Sequence, residues 1–163
     1  MKENTERQLA VQSVESLVQS PADLSSDLKI SSEDINDAYI NHSAKFAYWS
    51  VVAVQAKIAV DKKKLEVERQ DEYIKKNLAG ELDASVRLKL NRDGERITEA
   101  RVTAGIYSHH RYQTEQAKLY ALQDELLELQ GQYNLLYAAK EAMNHRKDML
   151  VSLGAQLRQE GDS

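Results

Sequence analysis

The chain has no cysteine, one proline and one tryptophan, and aromatic residues make up 6% of it. Without cysteine it can build neither a disulfide nor a thiolate metal site, which fits a reducing compartment. Few aromatics and almost no proline, in a sequence that is 42% hydrophobic, give poor material for a broad globular core. They give good material for long helices, because Ala, Leu, Glu, Gln, Lys and Arg lose least on becoming helical. No uninterrupted apolar run approaches the roughly 20 residues that span a bilayer, and no charged-then-apolar leader opens the chain. The expectation is a soluble, cytoplasmic protein without a membrane partner. The six glycines are scattered and form no dinucleotide or Walker loop, and there is no cysteine nucleophile or Gly-x-Ser-x-Gly elbow. His109 and His110 are adjacent, so on a helix they point about 100° apart, whereas metal ligands are usually presented three or four residues apart. The sequence therefore reads as non-enzymatic, with no metal and no cofactor.

What is present is heptad order. Leu122, Leu129, Leu136, Met143, Leu150 and Leu157 recur every seven residues, and Leu119, Leu126 and Tyr133 stand three ahead of the first three of them. A stripe held at seven calls for a partner helix in a left-handed supercoil, supplied by this chain or by another copy. A second stripe runs through Tyr39, Phe46, Ala53, Val60, Val67 and Ile74, joined by Ile35, Trp49 and Ala56. The simplest arrangement is an all-α hairpin of these two long helices, joined through a short one and self-associating through its stripes. Lys140 and Lys147 stand where the companions of Met143 and Leu150 would fall. Leu119 to Leu136 is thus expected to pack tightly, leaving Met143 to Leu157 for a neighbouring subunit.

The chain divides at about residue 30. Residues 1–30 are expected to form an acidic, mobile arm in which Leu9, Ala10, Val14, Leu17 and Val18 line a transient helix and Ser20, Pro21, Ser25 and Ser26 make a spacer. Residues 31–163 form the helical domain. Ser31 with Asp34 resembles a capping box and predicts the start of the first long helix. That helix is expected to reach about Leu90. The stripe continues at spacing four through Ile74, Leu78, Leu82, Val86 and Leu90, despite Gly80. The rival is a strand at Val86, Leu88 and Leu90 turning at Asp93-Gly94, disfavoured because a lone ribbon is marginally stable. A turn at 91–97 and an N-cap at Thr98 then introduce a short helix carrying Val102, Ile106 and Tyr107.

Residues 1–37 hold three basic and eight acidic side chains, and the remainder nineteen basic and eighteen acidic. The overall charge of −4 thus belongs to the N-terminal segment. In the middle of the chain Lys62, Lys63, Lys64, Arg69, Lys75, Lys76, Arg87, Lys89, Arg92, Arg96 and Arg101 recur, with Tyr73, Tyr107 and Tyr112 among or beside them. Cations interleaved with aromatic rings hold single-stranded nucleic acid without sequence preference. Interleaved carboxylates, Glu66, Glu68, Asp71, Glu72 and Glu81, allow the alternative of a solvated helix face.

Arg87-Leu88, the run Gly94 to Glu99, Tyr112, and then Ala138, Ala139, Glu141, Arg146, Leu150 and Leu153-Gly154 together resemble the UvsY-type recombination mediators of bacteriophages, over roughly Tyr39 to Arg158. The resemblance implies a helical homo-oligomer, in the cytoplasm of an infected bacterium, that binds single-stranded DNA. It also implies that the oligomer helps load a phage recombinase onto strands coated by single-strand-binding protein, in recombination, repair and replication. It points to Arg87 as the matching DNA-contacting position, with Lys89 beside it and Lys75 and Lys76 second; Arg92 and Arg96 complete the candidate set. The alternative function is a structural coiled-coil scaffold or assembly adaptor that binds no nucleic acid.

Overall fold

In the computed structural model, residues 21–30 and 35–161 are described. Helix α1 spans Pro21–Leu28. Helix α2 spans Ile35–Glu72 and passes through a π-helical segment, Tyr73–Leu78, into α3, Ala79–Arg92. A short helix α4, Glu99–Ser108, then leads to α5, His110–Gly161. The architecture is all-α: two long helices, 35–92 and 110–160, packed antiparallel with a short connecting helix. Cross-links show the direction, since Tyr39 meets Leu150, Lys63 meets Glu125 and Gln70 meets Glu115. The expected cap at Ser31 and Asp34, and the apolar residues Leu9 to Val18, lie outside the described residues.

The chain resolves into two compact units: residues up to Ala59 with those from Gln130 onward, and Val60–Leu129 between them. The first unit is centred on Trp49, Val52, Ala53 and Ala56 of α2 against Leu136, Ala139 and Met143 of α5, with Leu24, Leu28, Phe46, Tyr48 and Tyr133 at its edge. Two expectations are corrected here. Pro21 to Leu28, read as a spacer, is helical; Pro21 opens the helix, where its missing N–H is no loss. Helix α1 is pinned by Leu24 and Leu28 on the core, by the Asp27–Lys45 ion pair and by Trp49 Nε1 donating to Asp27. The second correction concerns Met143 and Leu150, expected to face a neighbour. Both are fully buried within the chain, while Leu157 of the same stripe is half exposed.

The reason is a change of phase. Core positions of α5 run Leu119, Leu122, Leu126, Leu129, Tyr133, Leu136 and then Ala139, Met143, Arg146, Leu150. Two successive steps of three at Tyr133, Leu136 and Ala139 form a stammer. It moves the companion row from Lys140 and Lys147 onto Ala139 and Arg146, so the stripe stays two residues wide. Arg146 is buried, with Nη1 donating to the Ala38 carbonyl at 3.3 Å and facing His42 Nδ1 at 3.2 Å, and Nη2 at 3.5 Å from the Lys29 carbonyl. Its charge is held by neutral acceptors among the described residues.

The second unit is centred on Leu78, Leu82 and Val86 against Val102 and Ile106 of α4, with Tyr73, Leu90 and Tyr112 at the margin. Residues spaced by four drift around a regular helix by about 40° per step. The π-helical segment, with its wider turns, absorbs part of that drift and keeps Ile74, Leu78 and Leu82 on the buried side. As expected, Val86 to Leu90 is helix and not strand. Helix α3 ends in a Schellman motif. Gly94 takes φ +71°, its N–H bonds the Asn91 carbonyl, and Glu95 N–H reaches the Leu90 carbonyl at 2.9 Å. Thr98 caps α4 as expected, its Oγ1 accepting from the Arg101 N–H.

Candidate nucleic-acid interface

The connection from α3 to α4 gathers a run of cations at one helix-turn end: Lys89 and Arg92 in the last turn of α3, Arg96 in the loop and Arg101 in the first turn of α4. Carboxylates are folded in with them. Arg101 pairs with Glu95 at 3.1 Å, and Arg92 lies 3.5 Å from Asp93. Lys89 and Arg96 are exposed and have no ion-pair partner among the described residues. The capped turn therefore presents two uncompensated cations on a backbone fixed by hydrogen bonds.

Arg87 has a different situation from the one its sequence neighbours suggest. Its Nε donates to Asp83 at 2.6 Å and its Nη2 to Glu99 at 2.8 Å, so it bridges α3 to the first turn of α4. Hydrogen bonds to Asp83 and then to Glu99 raise its pKa further above an already basic value. A phosphate would have to displace two carboxylates to reach this guanidinium in full. Lys75 and Lys76 are each paired one turn back, with Asp71 at 2.7 Å and Glu72 at 2.8 Å, but these are solvent-exposed i,i+4 pairs. Such pairs are weak and exchange readily.

The remaining cations of the basic run divide similarly. Lys63 is half-buried and bridges Glu66 and Glu125, tying α2 to α5. Lys62 and Lys64 on either side are exposed and without an ion-pair partner among the described residues. Of the three tyrosines, Tyr73 accepts a hydrogen bond from Arg111 Nη2 and packs at the margin of the second core. Tyr112 packs there too, and burial raises its hydroxyl pKa. Tyr107 keeps an exposed ring, 5.2 Å from that of Tyr112, and stands at the far end of α4 from the turn. The structure thus groups Lys89, Arg92 and Arg96 at one turn, assigns Arg87 to an internal bridge, and leaves Tyr107 as the open stacking face of the three. Arg111, which occupies Tyr73 and also bonds Glu81 at 2.8 Å, carried no sequence signal, since those partners lie 38 and 30 residues away.

His109 finds a role in the backbone. Its Nδ1 accepts from the Arg111 N–H at 3.2 Å and its carbonyl from the Gln113 N–H, so it caps α5. Among the described residues no cluster of His, Asp and Glu could hold a metal ion, and no helix is long and apolar enough to cross a membrane. Comparison of the chain with known protein families, with curated proteins and with solved structures returns no match.

Proposed function

We propose that this chain is a recombination mediator of the bacteriophage UvsY type. As a homo-oligomer it binds single-stranded DNA and helps a phage recombinase load onto strands held by single-strand-binding protein. The observation that carries the reading is the pair of uncompensated cations, Lys89 and Arg96, on the rigid turn between α3 and α4, flanked by the weakly held Arg92. On this reading the chain acts by binding. Its contribution would be to hold a strand by its phosphates in each subunit, and repetition around an oligomer would raise a weak contact to a useful one, because linked sites act at high effective concentration. Lys75 and Lys76 serve as secondary phosphate contacts, since their exposed partners yield easily.

The test is a salt titration of oligonucleotide binding on protein whose mass is measured in the same buffer. Affinity should fall steeply with salt, and replacing Lys89 and Arg96 with alanine should flatten the slope by about 0.7 per lost phosphate contact. Absence of low-salt binding by the assembled protein would end this reading. A second reading, a structural coiled-coil scaffold, is favoured by the pairing of Lys75, Lys76, Arg87 and Arg92 with carboxylates. In that case the Lys89 and Arg96 substitutions would change nothing that can be measured on DNA.

A further inference from the structure

The second unit, Val60–Leu129, keeps its aromatic rings out of its core. That core is aliphatic, built from Leu78, Leu82, Val86, Val102 and Ile106. The aromatic residues of the unit are Tyr73, Tyr107, Tyr112 and Tyr120, with no Phe or Trp among them. Tyr73 and Tyr112 lie at the margin of the core, and Tyr107 and Tyr120 are each 58% exposed. A lone exposed tyrosine needs no explanation. Two of these rings, however, are in contact.

Tyr107 follows the buried Ile106 by one residue, so its side chain leaves α4 about 100° away from that of Ile106. Its ring is nevertheless held, 5.2 Å from the ring of Tyr112 at an interplanar angle of 49°, a separation at which aromatic pairs attract. Tyr112 is the half-buried member of the pair. It therefore fixes Tyr107 on one side and leaves the rest of that ring to solvent. Lys75 and Tyr120 lie within electrostatic reach of the Tyr112 hydroxyl, as does Asp71, which Lys75 holds in an exposed pair.

We infer that Tyr107, backed by Tyr112, stacks an unpaired base of the bound strand. The inference rests on the DNA-binding function proposed above and adds a base contact to its phosphate contacts. Cations at the α3–α4 turn attract any phosphate backbone, single or double, and carry no information about the bases. A base inside a duplex has both faces covered by its neighbours, whereas an unpaired strand can turn one out onto a ring. Tyr107 is thus the element that makes the unit prefer single strands. Its ring has only two side-chain torsions and is already held by Tyr112, so little freedom is lost when a base arrives. From the cap at Thr98 to Tyr107 is about 14 Å along α4, a distance that a few nucleotides span. Beside the ring Lys75 meets the adjoining phosphate, because its exposed pair with Asp71 yields easily.

The test compares two probes on the full-length assembled protein at one low salt concentration: an oligothymidine, and a chain of abasic sites of the same length, which keeps the phosphates and lacks the bases. Wild type should bind the oligothymidine about tenfold more tightly, the effect of one stacked base. Tyr107→Ala should lose that preference and keep the salt slope, since no charge is removed, and Tyr107→Phe should retain both. Equal binding of the two probes by wild type would overturn the inference and leave a phosphate-binding protein standing, and this comparison needs no variant. An unchanged preference in Tyr107→Ala would overturn it as well. A lower native mass for Tyr107→Ala, with binding lost alongside, would assign the ring to a contact between subunits instead. Binding of neither probe by wild type would end the DNA reading and this inference with it.

Discussion

Gly105 of α4 lies so close to Val86 of α3 that a Cβ built on it would fall 2.5 Å from Val86 Cγ1. Val86 is buried, so its methyl groups have little room to retreat. The glycine is what lets the two helices of the second unit approach. Gly105→Ala should lower stability by about 1–3 kcal/mol through overpacking, more than the ~1 kcal/mol that alanine gains inside a helix. Gly80 and Gly131 have nothing within 4 Å of such a Cβ, so Gly80→Ala and Gly131→Ala should each raise stability by about 0.5–1 kcal/mol. Urea melts of the three variants check the opposite signs.

The buried second half of the α5 stripe predicts an asymmetry along it. Met143→Ala removes a side chain with no exposed surface and should cost about 2–5 kcal/mol. Leu157→Ala, at a half-exposed position, should stay within about 0.5 kcal/mol. Equal effects at the two positions would contradict the packing of Met143 inside the subunit.

The α3–α4 turn depends on two residues for its backbone. Gly94→Ala places a Cβ at φ +71° and should cost about 1–2 kcal/mol. Thr98→Ala removes the acceptor for the Arg101 N–H and should cost about 1 kcal/mol, with Thr98→Ser close to neutral. Loss of amide-exchange protection confined to α4 is the expected signature.

His42 makes stability depend on pH. Burial first, then the charges of Arg146 and Lys147, lower its pKa from the ordinary 6.5, and its Nδ1 must be unprotonated to accept from Arg146. Below pH 6.5 the unfolded chain binds this proton more readily than the folded one. The stabilisation is therefore complete above that value and is lost as pH falls through the depressed folded-state pKa. Denaturation midpoints measured between pH 7.5 and pH 5 should decline less in His42→Gln than in the wild type. An identical slope in both would remove His42 as the cause.

Arg87 and its neighbours should separate in function. Arg87→Ala breaks the bridge to Asp83 and Glu99 and should lower the melting temperature, by an amount that shrinks as salt screens the pair. Substituting Lys89 and Arg96 should leave the melting temperature unchanged and weaken oligonucleotide binding. Loss of binding in Arg87→Ala with no loss of stability would instead make its guanidinium a direct phosphate contact.

The sequence by itself determined the two long helices, their antiparallel pairing and the turn between them at Gly94 and Thr98, but not the helix at Pro21–Leu28. Heptad spacing, Thr98 and Gly94 are local signals, and each acts through the backbone of its own few residues. What only the tertiary structure decided is which side chains are spent on packing. Ala139 and Arg146 displace Lys140 and Lys147 from the core because the stripe of α5 shifts phase against α2. Arg87 is committed to Asp83 and Glu99, one of which lies on the far side of a turn, so a cation that looked free along the chain is not free in space. Charge partners and packing phase depend on residues distant in sequence, whereas helix propensity and capping do not.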